Sequence, residues 1–171
     1  MIDFVRTMRP QMSMVSCAMS VDTSKIITFL LAARTKTYAG SGGKVTPALE
    51  GSKQLEYAEG EWLYRDIYNL GQGLFMGFET IYFQNEAVWS MAYFGDFTQM
   101  TEEEIDRILR VALIAKQDTA RLWQRVTHTV EDYEYICEGT GSMEKMKGDE
   151  IVKKADRQVY FFQYAGGYIG K

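Results

Sequence analysis

Two segments of the chain carry apolar residues at the spacing of an amphipathic helix. Asp22 is a good N-cap, and the apolar stripe after it predicts a first helix that ends near Ala39. Thr101 opens a capping box, and the stripe that follows predicts a second helix reaching about Lys116. The apolar positions are Ile26, Ile27, Phe29, Leu30, Leu31 and Ala33 in the first segment, and Ile105, Ile108, Leu109, Ala112 and Leu113 in the second.

Two further regions have the alternation and aromatic content of β-strands, separated by turn sequences. Each region has three predicted strands: about 61–68, 74–83 and 87–94 in the first, and 133–137, 148–152 and 159–164 in the second. The glycine-rich stretch 40–51 predicts an irregular loop, and His128 falls in a second predicted loop.

The two β-rich regions align without a gap when the sequence is shifted by 71 residues. Both then read [DE]-[WY]-x-Y, G-x-E and V-[WY]-x-x-x-Y-x-G, and both follow an amphipathic helix. The identical pairs are Tyr64/Tyr135, Gly77/Gly148, Glu79/Glu150, Val88/Val159, Tyr93/Tyr164 and Gly95/Gly166. The pattern predicts an internal duplication. The alternative is that two antiparallel hairpins share residues that favour strands.

The order of these elements predicts an α+β fold. We expect two halves, each a helix followed by a three-stranded meander, with antiparallel sheet packed on the two helices. Residues 1–21 contain five methionines and no clean period, which predicts a poorly ordered N-terminal extension. Residues 22–171 are predicted to form a single domain, with pseudo-halves of about 22–98 and 99–171.

Composition and charge narrow the class of protein. The 171 residues are 46% hydrophobic, 13% aromatic and 25% charged, as in a folded globular domain. The net charge of −4 and the scattered basic residues argue against nucleic-acid binding. Cys17 and Cys137 form no paired motif, and no apolar run approaches the roughly 20 residues that span a bilayer. With no signal-peptide pattern at its start, the chain is expected to be cytoplasmic, with no membrane partner.

Strand alternation points to a candidate ligand site. In the strand at 62–68, one face carries Trp62, Tyr64, Asp66 and Tyr68, an aromatic stripe that contains a carboxylate. Such a stripe can line a ligand cavity, because tyrosine combines a flat apolar ring with a polar tip. The alternative is that it belongs to the core.

Two glutamates on apolar strand faces, Glu79 and Glu150, extend this site. Burying a glutamate is costly unless it is paired or neutralised, and each has a glycine two residues before it. One interpretation is a cleft between the halves in which Glu79 or Glu150 holds a cation or a ligand donor. The other is that both accept hydrogen bonds from tyrosines or backbone and stabilise the sheet. The predicted ligand-binding residues are Glu79, Glu150, Tyr64, Asp66, Trp89, Tyr93, Tyr160 and Tyr164.

Familiar catalytic motifs are not found. The stretch from Gly40 to Lys44 lacks the order of a phosphate-binding P-loop, since it follows a helix and Val45 replaces the Ser or Thr that holds magnesium. His128 is the only histidine, so a catalytic triad would depend wholly on it. No metal site, cofactor or catalytic residue is therefore predicted.

The chain resembles a bacterial and archaeal family of domains of unknown function. The residues that carry the resemblance are Phe29 to Ala39, Gly51 to Lys53, Leu55 to Tyr57, Tyr64 to Asp66, Gly77, Glu79, Val88 to Gly95, and Val159 to Gly167. In that family the domain occurs alone or C-terminal to a helix-turn-helix regulator domain. Residues 1–21 are too short to form such a regulator domain. The resemblance implies no activity and no residue roles.

The expected function is a small-molecule, or effector, binding module with an aromatic and acidic cleft. By analogy of architecture it is similar to the GyrI-like effector-binding proteins, which bind ligands between two halves near an acidic residue. One alternative is an enzyme that uses carboxylate and tyrosine chemistry in the same cleft. Another is an interaction domain whose exposed aromatics form a partner surface, for example in a homodimer. The residues favour binding over catalysis, and no pattern identifies the ligand.

Overall fold

A computed structural model describes residues 22–170, which form one eight-stranded antiparallel sheet and two helices. The elements are α1 (Thr23–Lys36), β1 (Lys53–Glu59), β2 (Trp62–Gly71), β3 (Leu74–Phe83), β4 (Glu86–Asp96), α2 (Glu102–Ala115), β5 (Arg125–Val130), β6 (Tyr133–Ser142), β7 (Lys145–Lys154) and β8 (Arg157–Tyr168). The strand order is β1-β2-β3-β4-β8-β7-β6-β5. We call α1 with β1–β4 the N-terminal half, and α2 with β5–β8 the C-terminal half.

The predicted α+β class is wrong, because the sheet dominates the structure. Strands make up 52% of it and helices 19%, and each half has a four-stranded meander instead of three strands. The strands missing from the prediction are β1 and β5, which lie at the two edges of the sheet. Edge strands tend to be polar and charged, which weakens their alternating pattern. For the same reason His128 lies on β5 and not in a loop.

Both predicted helices are confirmed, with ends close to the expected ones. The Asp22 side chain accepts a hydrogen bond from the Ser24 N–H at 2.9 Å, and Thr101 accepts one from the Glu104 N–H at 3.2 Å. The apolar stripes of both helices are buried, as amphipathic spacing requires. They share one core with the inward-facing residues of the sheet, among them Tyr64, Ile81, Trp89, Tyr135 and Phe162. On the outer face of the sheet, Leu74, Met76, Phe78 and Phe94 are exposed.

The strand arrangement is symmetric about the β4–β8 pair. Three strands of the N-terminal half begin 71 residues before their counterparts: Trp62 before Tyr133, Leu74 before Lys145, and Glu86 before Arg157. A duplicated unit would produce this order, with four strands in each copy. Duplication of the sequence stays a prediction, as does the division into pseudo-halves near residue 98.

One row of cross-strand neighbours runs through the centre of the sheet and relates the two halves. From β2 to β6 the row is Tyr68, Gly77, Tyr93, Tyr164, Gly148 and Gly139. Each residue of one half in this row lies 71 positions from its counterpart in the other. The glycines and central tyrosines are matched, whereas Tyr68 and Gly139 are not. This difference affects the site described below.

Two sequence predictions concern regions at the limits of the structure. The predicted poorly ordered extension, residues 1–21, lies outside the described residues. Within residues 22–170, neither helix is long and apolar enough to cross a membrane.

Candidate functional site

A cavity of about 460 Å³ lies between the two helices and the middle of the sheet. Helix α1 contributes Arg34 and Tyr38, and α2 contributes Leu109. The connection between α1 and β1 forms part of the rim. The sheet supplies most of the polar and aromatic lining, namely Tyr64, Asp66, Phe75, Glu79, Tyr93, Tyr160 and Phe162. The cavity therefore draws residues from both halves of the sheet.

The structure brings five of the eight predicted ligand-binding residues to this cavity. They are Tyr64, Asp66, Glu79, Tyr93 and Tyr160. The other three, Trp89, Tyr164 and Glu150, are buried in the core and do not line it. The alternation of strands placed all eight on the inward face, but alternation does not distinguish a cavity wall from the core beside it.

Glu79 is already paired with a cation of the protein. Arg34 donates to Oε2 of Glu79 from Nε at 3.0 Å and from Nη2 at 2.7 Å, and both side chains are largely buried. Burial alone would lower the pKa of Arg34, but the charge of Glu79 and these hydrogen bonds outweigh it and raise the pKa. Sequence reasoning missed Arg34, although it lies four residues after Leu30 and hence on the buried face of α1.

Glu150 is saturated by protein donors. Arg121 donates to it from Nε at 2.9 Å and from Nη2 at 2.8 Å, Tyr135 donates at 2.6 Å, and Tyr160 donates at 3.0 Å. Its side chain has no exposed surface. This geometry matches the interpretation in which the glutamate stabilises the sheet. Arg121 comes from the connection between α2 and β5, where no local pattern in the sequence marks it.

Asp66 differs from both glutamates, because no protein cation bonds to it. The Tyr93 hydroxyl donates to Oδ1 at 2.6 Å, and Oδ2 accepts no hydrogen bond from any described residue. The residue is 7% exposed. Burial, and then the nearby charge of Glu79, raise the pKa of Asp66 to about 7, although the Tyr93 hydrogen bond and the two arginines act in the opposite direction. Asp66 is thus a buried carboxyl that is partly protonated at neutral pH and faces the cavity.

The corresponding place in the C-terminal half is filled by the chain itself. Cys137 stands 71 residues after Asp66, and its Sγ accepts a hydrogen bond from the Arg121 N–H at 3.4 Å. Tyr164, the counterpart of Tyr93, donates to the Leu122 carbonyl at 2.5 Å. A Cβ at Gly139 would lie 1.8 Å from that carbonyl oxygen, so glycine permits this approach. The segment 120–122 therefore covers the sheet where the N-terminal half has its cavity.

The connection in the N-terminal half takes a different course. Residues 37–52 run beside the edge strand β1, where Glu56 N–H donates to the Gly43 carbonyl at 2.8 Å and Val45 N–H to the Gln54 carbonyl at 3.2 Å. This connection forms the rim of the cavity and leaves the floor uncovered. The cavity is the space that the C-terminal half closes with segment 120–122.

Aromatic rings pack against each other along one wall of the cavity. Phe75 stacks on Phe162 with ring centroids 5.9 Å apart, and Tyr93 lies 5.3 Å from Phe162. The Arg121 guanidinium lies over the Phe162 ring, 4.4 Å from its centroid. Such interlocked rings form a flat, apolar surface suited to a flat apolar ligand.

Polar contacts join the two helices at the rim. The Tyr38 hydroxyl donates to Asp106 Oδ1 at 2.7 Å, and Arg110 pairs with Asp106 and donates to the Tyr38 carbonyl. Burial raises the pKa of Tyr38 well above its usual value. Within residues 22–170, no three His, Cys, Asp or Glu residues are arranged to hold a metal ion. The chemistry of the cavity is that of aromatic rings and one unpaired carboxyl.

Comparison with known proteins identifies the family of the chain. No curated protein and no solved structure shows significant similarity to it. Residues 66–169 match the family described as "Domain of unknown function (DUF5680)". The match begins at Asp66 and includes β3 to β8, and hence most of the cavity floor, whereas α1 and Arg34 precede it. The helix-turn-helix partner and the taxonomic range implied by the resemblance stay predictions. With most of its length matched, the chain belongs to the DUF5680 family.

Proposed function

We propose that this protein is a small-molecule binding module whose ligand occupies the cavity between the two helices and the sheet. The observation that carries the proposal is a cavity of about 460 Å³ that combines aromatic walls with the buried, incompletely bonded carboxyl of Asp66. Ligand sites are typically about 300–1,000 Å³, mostly apolar, with a few polar groups that fix orientation.

The energetics of the site argue against a simple packing defect. Protein interiors are close-packed, and a cavity of this size forfeits van der Waals contacts on every side. A buried carboxyl without a full set of donors adds a further cost. The C-terminal half shows that the same sheet geometry can be closed by segment 120–122. An open and polar cavity in the N-terminal half is therefore a feature that ligand binding accounts for.

An enzyme that uses carboxylate and tyrosine chemistry in this cavity is the second candidate. It is favoured by the pKa of Asp66, about 7, because a group that titrates near neutral pH suits general acid–base catalysis. Binding accounts for more of the site. Arg34 and Arg121 are both engaged by glutamates and are not left to stabilise a developing negative charge.

The proposal is tested by screening a metabolite library by thermal shift against wild type and two tryptophan variants. Leu109→Trp fills the cavity from α2, and Val111→Trp adds the same side chain to the exposed face of that helix. Cavity ligands should raise the melting temperature of wild type and of Val111→Trp, with the shift lost in Leu109→Trp.

Circular dichroism confirms that each variant is folded before the shifts are compared. A ligand whose shift survives in Leu109→Trp binds elsewhere, and a library without any cavity-dependent ligand contradicts the proposal. Mass spectrometry of each hit after incubation with the protein distinguishes the two candidates, since only the enzyme converts its ligand.

A further inference from the structure

The charges at the floor of the cavity leave one carboxyl without a partner of opposite sign. Glu79 pairs with Arg34, and Glu150 pairs with Arg121, so these four groups cancel. Asp66 is the remaining ionisable acid of the floor and receives only the Tyr93 hydroxyl. When Asp66 is ionised, the floor therefore carries one net negative charge in a setting with little water, where Coulombic interactions are strong. A cation is favoured there and an anion is opposed.

The geometry of Asp66 specifies a nitrogen donor. Oδ1 is held by Tyr93, which fixes the carboxyl orientation, and Oδ2 has no donor among residues 22–170 although the side chain is more than nine-tenths buried. Buried carboxylate oxygens are normally hydrogen-bonded, and an N–H on a positive nitrogen makes the strongest such bond. The open oxygen is a place for one or two N–H groups of a ligand.

The C-terminal half provides an internal example of such an occupant. At the position of Asp66 it has Cys137, and Sγ of Cys137 accepts the Arg121 N–H. The Arg121 guanidinium of the same segment lies over the Phe162 ring while it bonds to Glu150. That half is thus closed by a backbone nitrogen donor at the Cys137 position and by a flat cation stacked on an aromatic ring. In the N-terminal half no described segment takes this place.

We propose that the cavity selects ligands in which a flat apolar body carries a positively charged nitrogen with N–H groups, and that Asp66 binds this nitrogen. This inference rests on the proposed binding function and adds the chemical class of the ligand. The amidinium and protonated amine groups belong to this class. The aromatic wall formed by Phe75, Tyr93 and Phe162 accommodates the flat body.

Binding of such a cation should depend on pH through Asp66. The cation prefers the ionised carboxyl, so affinity should rise between pH 6 and pH 8 by up to about tenfold for a group that titrates near pH 7. The other titratable and charged groups that face Asp66 or line the same cavity are Tyr64, Glu79, Tyr93, Arg34, Arg121, Asp106 and Arg110. Among these, Arg34, Arg121 and Arg110 are paired with acids and stay charged throughout this range.

Three probes of nearly equal shape test the inference by isothermal titration calorimetry. They are 2-naphthamidine, which is a cation, 2-naphthamide, which is neutral, and 2-naphthoate, which is an anion. For wild type at pH 8 we expect the amidine to bind at least tenfold more tightly than the amide, and the anion not to bind. The preference should shrink at pH 6. It should fall below threefold in Asp66→Asn, which keeps the side-chain oxygen that accepts from Tyr93.

Asp149→Asn serves as the matched control, because it removes an exposed carboxyl of β7 and should preserve the preference for the amidine. Equal affinities for amidine and amide in wild type, or an undiminished preference in Asp66→Asn, would overturn the inference. If the amide binds equally well and Leu109→Trp abolishes its binding, the proposed function stands and only the selection of cations fails. If none of the three probes binds wild type at millimolar concentration, the selection is also overturned. The library screen then decides the proposed function separately.

Discussion

The two halves of this sheet share a strand plan but use its inward face differently. In the C-terminal half, segment 120–122 covers the sheet, and Glu150 is bonded by three protein side chains. In the N-terminal half, residues 37–52 run beside β1, and Asp66 faces an open cavity. The course of one connection thus decides whether the same face becomes core or site. The comparison also separates structural acids from a candidate binding acid.

The largest effect should come from removing the arginine of the closed half. Arg121→Met leaves Glu150 buried without its cation, and loss of one partner of a buried ion pair costs about 3–5 kcal/mol. Arg34→Met should cost less, about 1–3 kcal/mol, because Glu79 borders the cavity and water can reach it. Urea unfolding at pH 7 gives both free energies. Equal losses would contradict the distinction between a closed and an open half.

Asp66→Asn should stabilise the protein at neutral and alkaline pH. The folded-state pKa of Asp66, about 7, lies above the ordinary value of 3.8, so the folded state holds a proton that the unfolded state releases between about pH 4 and pH 7. Stability of wild type therefore falls as pH rises through that window, and the loss is complete above pH 7. The asparagine variant avoids this loss and should be more stable than wild type by about 2–4 kcal/mol at pH 8.

Denaturant unfolding of wild type and Asp66→Asn at pH 4 and pH 8 measures this difference. At pH 4 the two proteins should differ by less than about 1 kcal/mol, because Asp66 is then protonated in the folded state. A variant that is less stable than wild type at pH 8 would indicate that ionised Asp66 is a structural acid like Glu150.

A smaller effect is expected where segment 120–122 approaches the sheet. In Gly139→Ala the new methyl group meets the Leu122 carbonyl, and overpacking of this kind costs about 1–3 kcal/mol. The matched control is Gly71→Ala, since a Cβ at Gly71 meets nothing within 4 Å, and its stability should stay within about 1 kcal/mol of wild type. Thermal unfolding of both variants compares them. A neutral Gly139→Ala would show that the segment moves away from the sheet at little cost.

Alternation of residues made the central strands predictable, and the edge strands escaped for a physical reason. The strands β2, β3 and β4 lie within a few residues of their predicted bounds, because large apolar and aromatic residues repeat along their inward face. The edge strands β1 and β5 are rich in charged residues and threonine, which solvent tolerates at a free edge. Without them the sheet seemed smaller, and the fold class was predicted wrongly.

Asp66 and Tyr93 were predictable as site residues from strand parity alone, and the structure brings them into contact. Arg34 and Arg121 were not predicted. Their partners lie 45 and 29 residues away in the sequence, on β3 and β7. Tertiary packing sets such pairings, and no local spacing encodes them. The sequence therefore indicated where acids collect but not which acids the protein itself neutralises.

The β4–β8 pair has a consequence for how the chain is made on the ribosome. β8 is the last strand in the sequence, and it begins about 60 residues after β4 ends. At roughly 5–20 residues per second, the ribosome needs several seconds to make that stretch. During this interval β4 lacks its second neighbour, and an unpaired strand edge is prone to wrong association. Tyr160 and Phe162 of β8 also complete the cavity wall, so a nascent chain acquires its site only in the final stage of synthesis.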